Sequence, residues 1–221
     1  MDRSIELLAP AGDWDAFLAA VENGADAVYL GGRFLNARQY AENFDDDQLK
    51  EALRYAHIRD SKIYLAMNTL ISDSEMDEGL KYAEKAYLLG IDGIIVQDIG
   101  FAALLRKVLP DLDIHASTQM TIYNLDGVKA LEKAGFKRIV LARELSVEEI
   151  KYITERSNAE IEKYNLAAIE LMKRNDVEIN DLYGVVYEDL EGNICEDKLH
   201  LSEKGNRLCA EKVTEIIRKY L

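Results

Sequence analysis

Cysteine is nearly missing from this chain: Cys195 and Cys209 are the only two. Their spacing matches neither a metal knuckle nor a disulfide framework, so a reducing cytoplasm is the expected compartment. Proline is as scarce, with Pro10 and Pro110 alone, and no Pro-, Gly- or Ser-rich stretch is available as a tether between separate domains. No apolar run approaches the length needed to span a bilayer, which excludes a membrane partner of that kind. Met1-Asp2-Arg3-Ser4 leads into a strand pattern, not a secretory leader. Basic residues are outnumbered, 27 Lys and Arg against 41 Asp and Glu, for a formal net charge of −14. That balance excludes broad, salt-driven binding to nucleic acid, while a small local basic patch could still hold RNA.

What is present is a core-forming, soluble composition. The 221 residues are 48% hydrophobic and 31% charged, enough for one large domain or two small ones. Much of the acidity has a local purpose. Asp45-Asp46-Asp47, Ser72-Asp73-Ser74-Glu75 and Ser146-Val147-Glu148-Glu149 stand where helices begin. Their carboxylates and hydroxyls cap free N–H groups and complement the helix dipole there.

A repeated phrase organises the first part of the chain. Ile5-Glu6-Leu7-Leu8 reads as a strand, Ala9-Pro10-Ala11-Gly12 as a loop, and Asp13 as the cap of a helix with the stripe Trp14, Phe17, Leu18 and Val21. Gly24 ends that helix before the strand Ala27-Val28-Tyr29-Leu30. The phrase returns at Gly90 before Gly93-Ile94-Ile95-Val96, and at Gly135 before Arg138-Ile139-Val140-Leu141. A glycine just past a helix, then a β-branched run, marks a helix returning into a buried parallel strand. Lys62 to Met67 and Asp113 to Ala116 supply further strands. Helices are expected near Asp47–Arg59, Ser74–Leu89, Ile99–Leu109, Asn124–Ala134 and Val147–Arg156. About six strand–helix units result, an α/β fold with a parallel sheet. Gly31-Gly32 lacks the third glycine and the immediate helix of a phosphate loop.

Reactive groups in parallel α/β folds collect at the carboxyl ends of the strands. Those ends carry Asn36 and Arg38, Asn68, Gln97 and Asp98, then His115 with Ser117, Thr118 and Gln119, then Arg143 and Glu144. Arg38 and Arg143 suit a carboxylate or phosphate clamp, and His115 or Asp98 could exchange protons. Taken singly, each such residue has an ordinary role as a cap or loop tie. His57, late in its helix, reads as structural. The tyrosines Tyr29, Tyr40, Tyr64, Tyr82 and Tyr87 read as core or groove fillers.

The tail follows another pattern. Asn158 to Arg174 is expected as helix, Val177-Glu178-Ile179 as a short extended piece, and Leu208, Val213, Ile216, Ile217 and Tyr220 as the stripe of a closing helix. Asp197 and His200 could be the acid and base of a hydrolytic triad. No serine in the chain has a matching nucleophile context.

The phrases Ile5-Glu6-Leu7-Leu8-Ala9-Pro10-Ala11-Gly12, Gly24-Ala25-Asp26-Ala27-Val28-Tyr29-Leu30-Gly31-Gly32, Asn36-Ala37-Arg38, His115-Ala116-Ser117-Thr118-Gln119-Met120 and Leu141-Ala142-Arg143-Glu144-Leu145-Ser146 resemble the amino-terminal domain of the peptidase U32 family. The resemblance covers about residues 3–157 and implies a (β/α)-barrel-like catalytic domain. It implies a protein of peptidase type or of RNA or ubiquinone hydroxylation type, acting on a peptide or RNA-linked substrate. Several members hold an iron–sulfur cluster on a later cysteine-rich segment, which this chain lacks, so no cofactor is expected. Lys163-Tyr164-Asn165, Asn180-Asp181-Leu182-Tyr183 and the run from Cys195 to Ala210 resemble the carboxyl end of SGNH (GDSL-like) hydrolases, whose acid and base map onto Asp197 and His200.

These readings set the expectations. The fold is an incomplete TIM-barrel-like parallel (β/α) fold of about six units over residues 1–157, with a mostly helical SGNH-like tail over 158–221, a truncated fusion of two fragments. Its two open edges need cover by the tail or by a homodimer partner. Asn36, Arg38, Asn68, Gln97, Gln119, Arg143 and Glu144 are the substrate-binding candidates. The catalytic candidates are His115, Asp98, Asp197 and His200. A silent binding module and a serine esterase are the alternatives to a U32-type hydrolase of reduced activity.

Overall fold

The computed structural model describes residues 6–32, 34–37, 43–162, 189–193 and 202–217. The chain divides into two compact units, Met1–Leu166 and Ala167–Leu221.

The first unit alternates strands and helices: β1 (Leu8–Ala11), α1 (Trp14–Glu22), β2 (Ala27–Gly31), α2 (Asp46–His57), β3 (Lys62–Met67), α3 (Met76–Leu89), β4 (Gly93–Val96), α4 (Ile99–Val108), β5 (Ile114–Ala116), α5 (Leu125–Lys133), β6 (Arg138–Val140), α6 (Val147–Arg156) and β7 (Glu160–Glu162). All neighbouring strands pair in parallel, in the unbroken order β1 to β7. An order without reversal is that of a barrel wall, and the seven strands form a TIM-barrel-like half-barrel.

The local chemistry explains where the elements start and stop. Asp13, Asp45, Asp98, Asn124 and Ser146 each accept a backbone hydrogen bond at a helix N-terminus, and Asp45 and Ser146 complete capping boxes with Gln48 and Glu149. The recurring Gly24, Gly90 and Gly135 all take left-handed φ values, +85°, +96° and +89°. That conformation turns each helix back toward the next strand.

Alternation along the strands then splits the side chains between two faces. The outer set, including Val28, Leu30, Ile63, Leu65, Met67, Ile94, Val96, Ile114 and Ile139, packs with Phe17, Leu49, Leu53, Phe101 and Leu105 from the helices into one large core. A smaller cluster of Ala27, Tyr64 and Ile95, with Leu8 and Tyr29 against it, forms on the other face.

Two expectations need correction. The first strand is Leu8–Ala11, three residues later than its sequence pattern suggests. Pro10, which lacks an N–H, is tolerated because, among the described residues, β1 has a strand partner on one side only. The segment from Asn158 does not open as helix either: Glu160–Glu162 is a seventh strand paired with β6. Its Glu-Ile-Glu alternation sends Ile161 to the outer core, while Glu160 meets Arg138. The extended piece at 177–179 lies outside the described residues.

In the second unit, α7 (Leu190–Asn193) and α8 (Glu203–Ile217) are described. Ser202 caps α8, accepting from Gly205 N at 3.1 Å and donating to Gly192 O at 2.7 Å. Gly205 allows this approach, because a Cβ there would stand 2.1 Å from Asn193 O.

Candidate binding site

A cavity of about 190 Å³ opens at the carboxyl ends of the strands in the first unit. Leu8, Tyr29, Ala66, Ile95 and Val140 contribute apolar surface from β1, β2, β3, β4 and β6, and Ser117 follows β5. Asn36, Asn43, Asn68, Thr118, Gln119 and Arg143 supply the polar surface. Amides and hydroxyls therefore dominate, and Arg143 is the one charged side chain among the described lining residues.

The glycine pair after β2 makes room for this arrangement. A Cβ on Gly31 would lie 2.7 Å from Asn43 Oδ1 and 2.8 Å from Asn36 Cγ, and one on Gly32 would lie 1.8 Å from the Tyr82 hydroxyl. The absent side chains let two asparagines, 3% and 6% exposed, converge over the strand end. Asn36 donates from Nδ2 to Gly32 O, and Ala37 N donates to Asn68 Oδ1 at 3.1 Å. The chain reaches this position through left-handed backbone at Leu35 (φ 56°) and Asn43 (φ 51°), and Thr121 (φ 54°) ends the 3-10 turn Thr118–Met120. Such conformations cost non-glycine residues energy and cluster where a site fixes its side chains.

Beneath the cavity lies a buried polar layer. Arg138 on β6 donates from Nη1 to Glu6 Oε1, and from Nε and Nη2 to Glu160 Oε2 at 3.2 and 2.8 Å. Tyr64 donates to both Glu6 oxygens at 3.1 and 3.0 Å, and Lys62 Nζ reaches Glu6 Oε2 at 3.3 Å. The His115 ring meets Tyr64 edge-on at 4.5 Å, in space that Gly93 leaves open. Burial pushes the Glu6 carboxyl up, but the hydrogen bond and charge of Arg138, together with the Tyr64 hydrogen bond and the Lys62 charge, leave the net value lowered. Burial, followed by the Arg138 charge, draws His115 down to about 3, so its imidazole is neutral near pH 7.

The sequence candidates divide accordingly. Asn36, Asn68, Gln119 and Arg143 come together in the lining. Gln97 stands behind it, donating to Gln119 O at 3.3 Å. Asp98 spends its carboxylate on local structure: it caps α4 through Phe101 N at 2.7 Å and accepts from Ile71 N at 3.4 Å. Glu144 is exposed outside the lining, and His115 is buried below it. Arg38, Asp197 and His200 lie outside the described residues. Asn43 was not anticipated, since it sits far along the loop after β2. The Glu6–Arg138 pair joins positions 132 residues apart; its one visible sign is an arginine opening an otherwise apolar parallel strand.

His57 holds a structural place, with Nε2 2.9 Å from Asp92 Oδ2, and Asp92 also accepts from Ile63 N. Among the described residues no group of three or more His, Cys, Asp or Glu side chains could hold a metal ion. Cys209 is a free thiol on α8, and Cys195 lies outside the described set. The described residues do not fit an iron–sulfur cluster. No helix among them is long and apolar enough to cross a membrane.

Fold and site together define a parallel (β/α) half-barrel protein with a small polar pocket at its strand ends. A model of peptidase family U32 matches residues 12–172, and the chain belongs to that family. The match runs past the boundary expected at residue 157, and it supplies no support for an SGNH-like tail. Over 158 residues the chain is 39% identical to the 23S rRNA 5-hydroxycytidine C2501 synthase of Escherichia coli, covering 72% of this chain and 24% of the relative. It is 36% identical over 159 residues to tRNA hydroxylation protein P1 of Bacillus subtilis, covering 72% and 38%. An uncharacterized protease of Methanocaldococcus jannaschii is 36% identical over 162 residues, covering 73% and 39%. The chain thus spans about a quarter to two fifths of the length of these curated relatives. A solved U32 peptidase structure shares the fold at a TM-score of 0.56 and 18% identity, covering 73% of this chain and 70% of its own.

Proposed function

We propose that the first unit is the substrate-binding part of a U32 protein of the RNA-hydroxylation kind, and that its pocket takes one base of an RNA strand. The observation that carries this reading is the lining itself: Asn36, Asn43, Asn68 and Gln119 carboxamides with Ser117 and Thr118 hydroxyls, and Arg143 as the single charge. Carboxamides and hydroxyls can match the donor and acceptor pattern of a base edge, while an arginine at the exposed rim pairs with phosphate. The cavity is smaller than the roughly 300–1,000 Å³ of drug-sized pockets, which suits one ring.

The peptidase-type reading is weaker at this site. Peptide hydrolysis needs a nucleophile beside a base or an activated water. The Ser117 hydroxyl accepts from Gln119 N at 3.2 Å, and no imidazole or carboxylate lines the described pocket. His115, neutral and 2% exposed, is a poor proton carrier at neutral pH.

Titration with uridine 5′-monophosphate and with a short acetylated peptide, followed by calorimetry, separates the two. Nucleotide binding that falls roughly ten- to hundredfold in Arg143→Ala fits the loss of one charge-assisted contact of about 1.5–3 kcal/mol. Peptide binding without nucleotide binding would transfer the assignment to the peptidase type, and binding of neither would leave the silent-module reading. The esterase reading of the tail has its own test, p-nitrophenyl acetate hydrolysis by wild type and His200→Ala, where equal rates eliminate it.

A further inference from the structure

We propose that Arg138 is a positioning residue for the pocket, acting as a clamp between the two edges of the half-barrel. The inference rests on the base-binding reading only for its effect on ligand; the clamp itself stands on geometry. β1 and β7 each pair with a single neighbour, so no backbone hydrogen bond joins the two edges among the described residues. Arg138 supplies a side-chain link in its place. One arm of its guanidinium reaches Glu6, two residues ahead of β1, and the other takes Glu160 at the start of β7. The Arg138 side chain is 10% exposed and that of Glu6 19%, so solvent screens this arm weakly, while Glu160 anchors the other arm from a half-exposed position. Tyr64 supports it from the opposite wall, donating to Glu6 while the guanidinium carbon lies 5.0 Å from the Tyr64 ring centroid. A lysine could not reproduce this grip, because its donors all sit on one nitrogen, whereas the planar fork offers separate nitrogens to the two carboxylates.

The consequence for the pocket follows from strand periodicity. Arg138 and Val140 lie on the same face of β6, two residues apart, and Val140 lines the cavity. Across the opening, Leu8 of β1 lines it too, two residues beyond Glu6. The clamp therefore sets the separation of Leu8 from Val140, and with it the width at which Asn36 and Arg143 face one ligand. It works one side-chain layer below the ligand and need not touch it.

Spin labels at Leu7→Cys and Asn158→Cys, both exposed, in a Cys195→Ser/Cys209→Ser background report the edge-to-edge distance by electron dipolar spectroscopy. Glu160→Gln and Arg138→Lys each keep part of the link and are chosen to fold; circular dichroism checks that they do. The expected result is a longer, broader distance distribution in both variants, with affinity for uridine 5′-monophosphate down three- to tenfold. An unchanged distribution in folded variants overturns the clamp. A changed distribution with unchanged nucleotide affinity overturns the positioning role. Wild-type protein that binds no nucleotide defeats the base-binding reading instead, and the distances alone then decide the clamp.

Discussion

At the level of single residues, two kinds of glycine serve different ends. Gly24 has a φ of +85° and open space around its missing Cβ, so it provides a turn and nothing more. Gly31 has no unusual φ, but a Cβ would press on both Asn36 and Asn43. Gly24→Ala should cost about 1 kcal/mol in urea denaturation and leave nucleotide affinity alone. Gly31→Ala should lower that affinity at least tenfold by pushing the two amides out of register. Equal affinities in the two variants would remove Asn36 and Asn43 from the site. Asn36, Asn68, Gln119 and Arg143 could be read from the sequence because each follows a recognisable strand. Asn43 could not, since the course of its loop depends on Phe44 returning to β2 through its N–H to Gly31 O at 2.9 Å.

At the level of elements, caps and glycine stops made the helices readable. The signals are local and complete within four residues, as in Asp45 with Gln48. Asp45→Ala should destabilise the first unit by about 1 kcal/mol, because the Gln48 N–H at the start of α2 loses its side-chain acceptor. A denaturation midpoint shifted no more than by Asp47→Ala, which removes an exposed first-turn carboxylate, would contradict the capping role. The strands were harder to place. A triplet such as Glu160-Ile161-Glu162 is too short to show a period, and only its pairing with β6 makes it a strand. Pro10 misled in the other direction, since its exclusion from sheets holds for central strands and relaxes at an edge.

On the scale of the whole molecule, the buried layer under the pocket ties stability to pH. His115 stays neutral in the fold down to about pH 3, whereas in the unfolded chain it takes a proton below its ordinary value of 6.5. Between these values the unfolded state binds more protons, so stability rises with pH across that window and levels off above it. Glu6, with its value lowered in the fold, acts in the same sense: its contribution is full above the ordinary 4.5 and is lost as the solution becomes more acid. Urea denaturation from pH 7 to 5 should show a loss of which His115 accounts for about 2 kcal/mol. His115→Leu should flatten that part of the profile, and parallel curves for the two proteins would rule out a buried neutral imidazole. No local motif announces this layer, because its members meet only when the sheet curls.

The sequential strand order has a further consequence for synthesis. Each strand finds its partner in the segment that left the ribosome just before it, so the wall can be laid down one course at a time, with little waiting. Contacts across the layer beneath the pocket break this order, and that between Glu6 and Arg138 spans 132 residues. It must wait for more than half of the chain to emerge, which makes the closing of the curve a late event in the birth of the molecule.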